Sequence, residues 1–207
     1  NPTRGRFFSG VFEATDGLLS APVTVRGEGR VEQFVGLGPL VLDLVGRAGA
    51  GWAAGDGATL PIEERFFLGG SASLRGFKLN SVGPANLSGR PQIPFSDELE
   101  PLVEGAGVRG DSTHWVSTGG DTLLAFTTEL RVPFPVLGLS DLDSTSLVLF
   151  NDLGRVAFRD GTARATSAIL GIDPWLRASV GAGLRVATPI GPASLALGAN
   201  PWPITAR

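Results

Sequence analysis

Arg177-Ala178-Ser179-Val180-Gly181-Ala182-Gly183-Leu184-Arg185-Val186 is the stretch that decides the fold. Ala178, Val180, Ala182, Leu184 and Val186 occupy alternate positions, with Arg177, Ser179, Gly181, Gly183 and Arg185 between them. A period of two places the apolar residues on one face of a β-strand and the polar or small ones on the other. The same period recurs along the chain. Leu124, Phe126, Leu130 and Val132 oppose Ala125, Thr127, Glu129 and Arg131. Val23, Val25 and Val31 oppose Thr24, Arg26, Glu28, Arg30 and Glu32, while Leu40, Leu42 and Leu44 oppose Asp43 and Arg47.

These patterns predict about eight strands, near 4–14, 21–35, 39–53, 63–68, 121–133, 144–158, 175–188 and 192–199. Tight turns such as Gly36-Leu37-Gly38-Pro39 and Pro189-Ile190-Gly191-Pro192 join them. Several strands reach about 10 residues, the length that crosses a bilayer when tilted. A soluble β-sandwich, which would make this a water-soluble binding module, alternates too, but its strands centre on ~5–6 residues. Paired Arg and Glu on the polar face suit a wet lumen better than a dry core. The expected fold class is all-β, an antiparallel transmembrane β-barrel.

Composition narrows the chemistry. The 207 residues suffice for one domain or one membrane barrel. Charged residues make up only 18%, and mean hydropathy is +0.19, yet no apolar run reaches ~18 residues, so no spanning helix is expected. The net charge of −3 carries no basic footprint, and nucleic acid is not an expected partner. With no cysteine, disulfides and thiolate metal sites are excluded. His114 is the only histidine, so neither a multi-histidine metal site nor a histidine triad can form within this sequence. Asp97, Glu98, Glu100 and Glu104 cluster without an evident nucleophile or base and read as a solvated acidic loop. No enzyme activity, cofactor or metal is expected. Trp52, Trp115, Trp175 and Trp202 lie near segment ends, where interfacial anchors sit. Methionine is absent even at position 1, and no signal peptide opens the chain, as expected of a piece of a longer polypeptide.

One run breaks the period: Arg65-Phe66-Phe67-Leu68-Gly69-Gly70-Ser71-Ala72-Ser73-Leu74-Arg75-Gly76-Phe77, continuing to Ser81-Val82-Gly83-Pro84. Gly69-Gly70 frees the backbone for positive φ, and Gly76 sets Arg75 and Phe77 on a bend. A cation beside an aromatic on a constrained loop is placed to reach a specific carboxylate. Gly69, Gly70, Gly83 and Pro84 shape this loop of about residues 69–84, and a long irregular loop of about 84–120 is expected to follow.

The run Gly69-Gly70-Ser71-x-x-Leu74-Arg75-Gly76-Phe77 with Val82-Gly83-Pro84 resembles the loop signature of the BamA-type outer-membrane β-barrel assembly superfamily. Four further motifs agree in order: Asn1-Pro2-Thr3-Arg4-Gly5; Gly119-Gly120-Asp121 with Thr128-Glu129-Leu130-Arg131-Val132-Pro133; Phe150-Asn151-Asp152-Leu153-Gly154; and Arg177–Arg185 through Pro192. The resemblance implies that residues 1–207 are the C-terminal portion of a barrel of about sixteen strands, with early strands and soluble POTRA domains lying outside this sequence. It implies a signature loop folded into the lumen, its arginine meeting inner-wall acids. The matching residues form a lumen latch of Arg75, Gly76, Phe77, Glu129 and Asp152. Strand phasing agrees, because Glu129 shares a face with Thr127 and Arg131, and Asp152 opposes Leu147, Leu149 and Leu153.

The implied function is assembly and insertion of β-barrel proteins into an outer membrane, without ATP. An outer-membrane secretion or translocation pore of the same superfamily is the alternative. Implied partners are the lipid bilayer, unfolded β-barrel clients, accessory assembly subunits, and a further segment or chain that completes the wall. Glu129 with Asp152 resembles the Gram-negative bacterial pattern, to which the sequence leans. Gly119-Gly120-Asp121 after His114-Trp115, and Gly154-Arg155-Val156, resemble the mitochondrial outer-membrane counterpart.

Overall fold

The computed structural model describes residues 3–15, 23–55, 59–88, 114–139, 144–159 and 176–201. Its strands are β1 (Gly5–Thr15), β2 (Thr24–Leu37), β3 (Leu40–Ala53), β4 (Ala85–Ser88), β5 (His114–Ser117), β6 (Thr122–Pro133), β7 (Thr145–Ala157), β8 (Arg177–Thr188) and β9 (Gly191–Ala199). Seven form one antiparallel sheet in the order β1-β2-β3-β6-β7-β8-β9, and β4 and β5 form a separate two-stranded sheet among the described residues. Sheet neighbours follow one another in the chain except at β3 and β6, which are separated by an insertion spanning residues 54–121. The sheet is open, with β1 and β9 at its edges. At 14 residues each, β2 and β3 are long enough to cross a bilayer when tilted. Among the described residues no helix is long and apolar enough to do so.

Alternation along each strand separates two faces. Phe126, Leu149, Val180 and Leu184 point outward and stay 41–47% exposed, whereas Asp43, Arg131 and Asp152 on the opposite face are buried. Apolar outside and ionic inside is the expected arrangement for a membrane barrel. Replacing Leu124, 56% exposed on the outer face, by arginine should therefore destabilise the membrane-embedded wall by about 2–4 kcal/mol. Urea titration in lipid vesicles, read by the heat-modifiable gel band, would test this. An unchanged midpoint would contradict a lipid-facing Leu124.

The inner face carries the core. Phe66, Leu68, Leu74 and Val82 of the insertion pack against Leu123 and Ala125 of β6 and Val156 of β7, with Phe77 partly buried beside them. Glycines in the wall make room for these side chains. A Cβ on Gly49 would lie 2.7 Å from the Phe66 ring, and one on Gly154 would collide with Leu68. Close packing against the wall holds the part of the insertion from Phe66 to Val82 on the inner face.

Two sequence expectations differ from the structure. Residues 63–68 are not a wall strand. Ile62–Glu64 form a short 3₁₀ turn after Pro61, and Phe66 and Leu68 make isolated bridges to Gly120 and Val82. Their apolar side chains face the core of the insertion, so the alternation there reflects loop packing, not a place in the sheet. Nor is the segment from 84 to 120 wholly irregular, because β4 and β5 pair from Ala85↔Ser117 to Ser88↔His114. A backbone ladder needs no side-chain alternation, which is why periodicity missed it. Asp97, Glu98, Glu100, Glu104, Trp175 and Trp202 lie outside the described residues, and Trp52 is 52% exposed near the end of β3.

Candidate functional site

The insertion begins with a clasp at its base. Arg65 donates from Nε to the Leu60 carbonyl (2.7 Å) and from Nη1 to that of Thr118 (2.9 Å). Its guanidinium lies 5.2 Å from the centre of the Phe158 ring. Thr118 in turn donates its N–H to the Pro84 carbonyl (2.9 Å). A Cβ on Gly83 would press to 3.0 Å from Val156. Gly83 and Pro84 thus lie where the loop returns along the wall.

The loop then folds on itself. Gly69 and Gly70 have φ of 116° and 95°, backbone states that side-chain-bearing residues rarely adopt. This turn lets the Leu74 N–H reach the Gly70 carbonyl (3.1 Å) and the Gly70 N–H reach that of Phe77 (3.2 Å). Ser73 Oγ accepts from the Gly69 N–H (3.0 Å) and donates to its carbonyl (2.9 Å). Leu74 is fully buried, and its burial aims the next residue, Arg75, at β7.

The structure brings Arg75, Glu129 and Asp152 together. Arg75 donates to Asp152 from Nε to Oδ2 (2.8 Å), from Nη2 to Oδ1 (2.8 Å) and from its own backbone N–H to Oδ2 (3.0 Å). A fourth bond runs from Nη1 to Glu129 Oε2 (3.1 Å). The two parallel bonds to Asp152 form the forked pairing that suits a planar guanidinium. Burial alone would lower the pKa of Arg75. Hydrogen bonds and charge from Asp152 and Glu129 outweigh that and hold it above its ordinary value. Gly76 bends away with φ 86°, and Phe77 packs against the core.

Other partners were not singled out from the sequence. The Phe150 ring lies under Arg75, its centre 3.5 Å from the guanidinium carbon, adding a cation–π contact. Glu129 is shared. Its Oε1 accepts from Arg131 Nε (3.0 Å) and lies 3.9 Å from Arg185 Nη1. Arg131 continues to Asp43 Oδ2 (2.6 Å). A signal for these residues was present in the phasing. Phe150 precedes Asp152 by two positions and Arg131 follows Glu129 by two, so each pair shares a face. A cavity of about 410 Å³ opens beside this network, lined by Arg30, Arg47, Asp43, Glu129, Arg131 and the loop residues Ser71 to Ser73, among others. Within it Arg30 pairs with Glu32, Arg75 with Glu129 and Asp152, and Arg131 with Asp43 and Glu129.

Register explains why these residues meet. One cross-strand row runs Phe34–Asp43–Glu129–Phe150–Gly181–Gly198, and the adjacent pair Thr127–Asp152 lies one pleat away. Arg75 lies over both.

The comparisons with known proteins agree with this picture. The sequence model of the Omp85 superfamily domain matches residues 1–205. Among solved structures, the chain resembles BamA from Haemophilus ducreyi lacking POTRA domains 1–3, with a TM-score of 0.69 and 22% identity. The match covers 97% of this chain and 36% of that one, so this chain spans little more than a third of that protein's length. At that identity the likeness speaks for the fold alone, a BamA-type arrangement of antiparallel strands. The sequence match along nearly the whole chain supplies what the fold cannot, and the chain belongs to the Omp85 superfamily.

Proposed function

We propose that this chain is part of the wall of an outer-membrane barrel that inserts β-barrel proteins into the membrane, with the Arg75 loop as its inner latch. The observation that carries the proposal is the docking of Arg75 on Asp152 and Glu129 at the inner face of a wall whose outer face is apolar. Such a barrel works without covalent chemistry. Strand edges offer unpaired N–H and C=O groups, and an incoming client strand pairs with them by main-chain hydrogen bonds. An open edge is not tolerated in hydrocarbon, so β1 and β9 must be completed by further strands. We place these in the same polypeptide, in keeping with a wall of about sixteen strands preceded by POTRA domains. Unfolded barrel proteins are the proposed clients, accessory subunits the proposed helpers, and a Gram-negative outer membrane the proposed location.

The experiment is reconstitution of the full-length polypeptide in lipid vesicles with an unfolded β-barrel client. Faster appearance of the client's heat-modifiable band than in empty vesicles is the expected result, with slower appearance for Arg75→Ala. Passage of a soluble passenger into the vesicles, without client insertion, would instead make the protein a secretion pore. Neither activity in correctly folded protein would overturn the proposal.

A further inference from the structure

Gly198 lies in β9, an edge strand whose described side chains are exposed. Glycine weakens a strand, and within one it often marks close approach by another backbone. That approach is visible here. A Cβ on Gly198 would lie 2.6 Å from the Gly76 nitrogen and 2.9 Å from the Arg75 carbonyl carbon. In the other direction, a Cβ on Gly76 would lie 3.1 Å from the Gly198 carbonyl carbon and 3.2 Å from Ala199 backbone atoms. All of these are main-chain atoms, which cannot swing aside as a side chain can. Gly198 also ends the cross-strand row that holds Glu129 and Phe150, so the loop tip spans the wall from β6 to β9.

We propose that β9 is part of the latch: Gly198 is a positioning residue on which the Arg75-Gly76 backbone sits, so that release of Arg75 and displacement of β9 are energetically coupled. This rests on the latch reading above. Coupling of this kind is reciprocal. A strand that pairs along the outer edge of β9 and shifts it would loosen Arg75, and a freed Arg75 would deprive β9 of its contact with the loop tip. Asp152 and Glu129 then supply the strength of the latch, and Gly198 links it to the edge.

The chain contains a single lysine, Lys78, exposed three residues beyond Arg75. In the full-length protein in lipid vesicles, cleavage after Lys78 by a lysine-specific endoproteinase, followed by mass spectrometry, therefore reports undocking of the tip. Arg75→Ala should speed this cleavage. Gly198→Ala should speed it about tenfold, the scale of an overpacked contact. Gly46→Ala is the control, because a Cβ there meets nothing within 4 Å, and it should cleave as wild type. Combining Gly198→Ala with Arg75→Ala should add little to Arg75→Ala alone. Wild-type cleavage in Gly198→Ala with fast cleavage in Arg75→Ala would overturn the coupling and leave the latch intact. Wild-type cleavage in Arg75→Ala would remove the latch itself. Hydrogen exchange tests the reverse direction without altering Gly198. The amides of β9 should exchange several-fold faster in Arg75→Ala while those of β2 stay unchanged, and equal protection of β9 would refute the coupling.

Discussion

Arg75→Ala is expected to lower the stability of the membrane-embedded protein by about 3–5 kcal/mol, the cost of breaking a buried ion pair from one side. Asp152 is the reason. Its side chain is 1% exposed, and Arg75 is the cation it meets among the described residues. Removing the guanidinium strands a buried carboxylate, takes away the fork and uncovers the Phe150 ring. Arg75→Lys should fall between the two, since an ammonium keeps the charge but cannot form the fork. Urea midpoints of the heat-modifiable band would measure the series. Alanine and wild type unfolding together would show that the contact contributes nothing to holding the wall.

The two acids should not be equal. Asp152→Asn is expected to cost about 3 kcal/mol and Glu129→Gln about 1 kcal/mol in the same assay. Asp152 accepts three bonds from Arg75, one of them from its backbone. Glu129 accepts one from Arg75 and is otherwise engaged by Arg131 and Arg185. Losing the Glu129 charge still leaves Arg75 on Asp152 and Arg131 on Asp43. Because both acids share one guanidinium, the double variant should lie close to Asp152→Asn alone. Equal single costs, or strict additivity, would argue against this division of roles.

Much of the wall was legible from sequence because a period of two is a local property. Val180 and Leu184 face out and Asp152 faces in for the same reason: neighbouring side chains on a pleated strand alternate. The boundaries follow closely, as with the segment expected at 121–133 and found as Thr122–Pro133. Local pattern failed where chain geometry overrode it. Pro61 and the turn at Gly69-Gly70 keep residues 63–68 from joining the sheet, and β4 with β5 forms a ladder that alternation does not announce.

The sequence alone therefore determined an all-β chain and the apolar and polar faces of several long strands, and the motifs it shares with its family put Arg75, Glu129 and Asp152 within reach of one another. Only tertiary structure decided that Glu129 is shared, that Phe150 lies beneath the guanidinium, and that Gly76 touches Gly198. Those contacts join residues 54, 75 and 122 positions apart, and they exist only once strand register has aligned Asp43, Glu129, Phe150, Gly181 and Gly198 in one row. Register is set by hydrogen bonds between strands distant in the chain, and no single segment contains it.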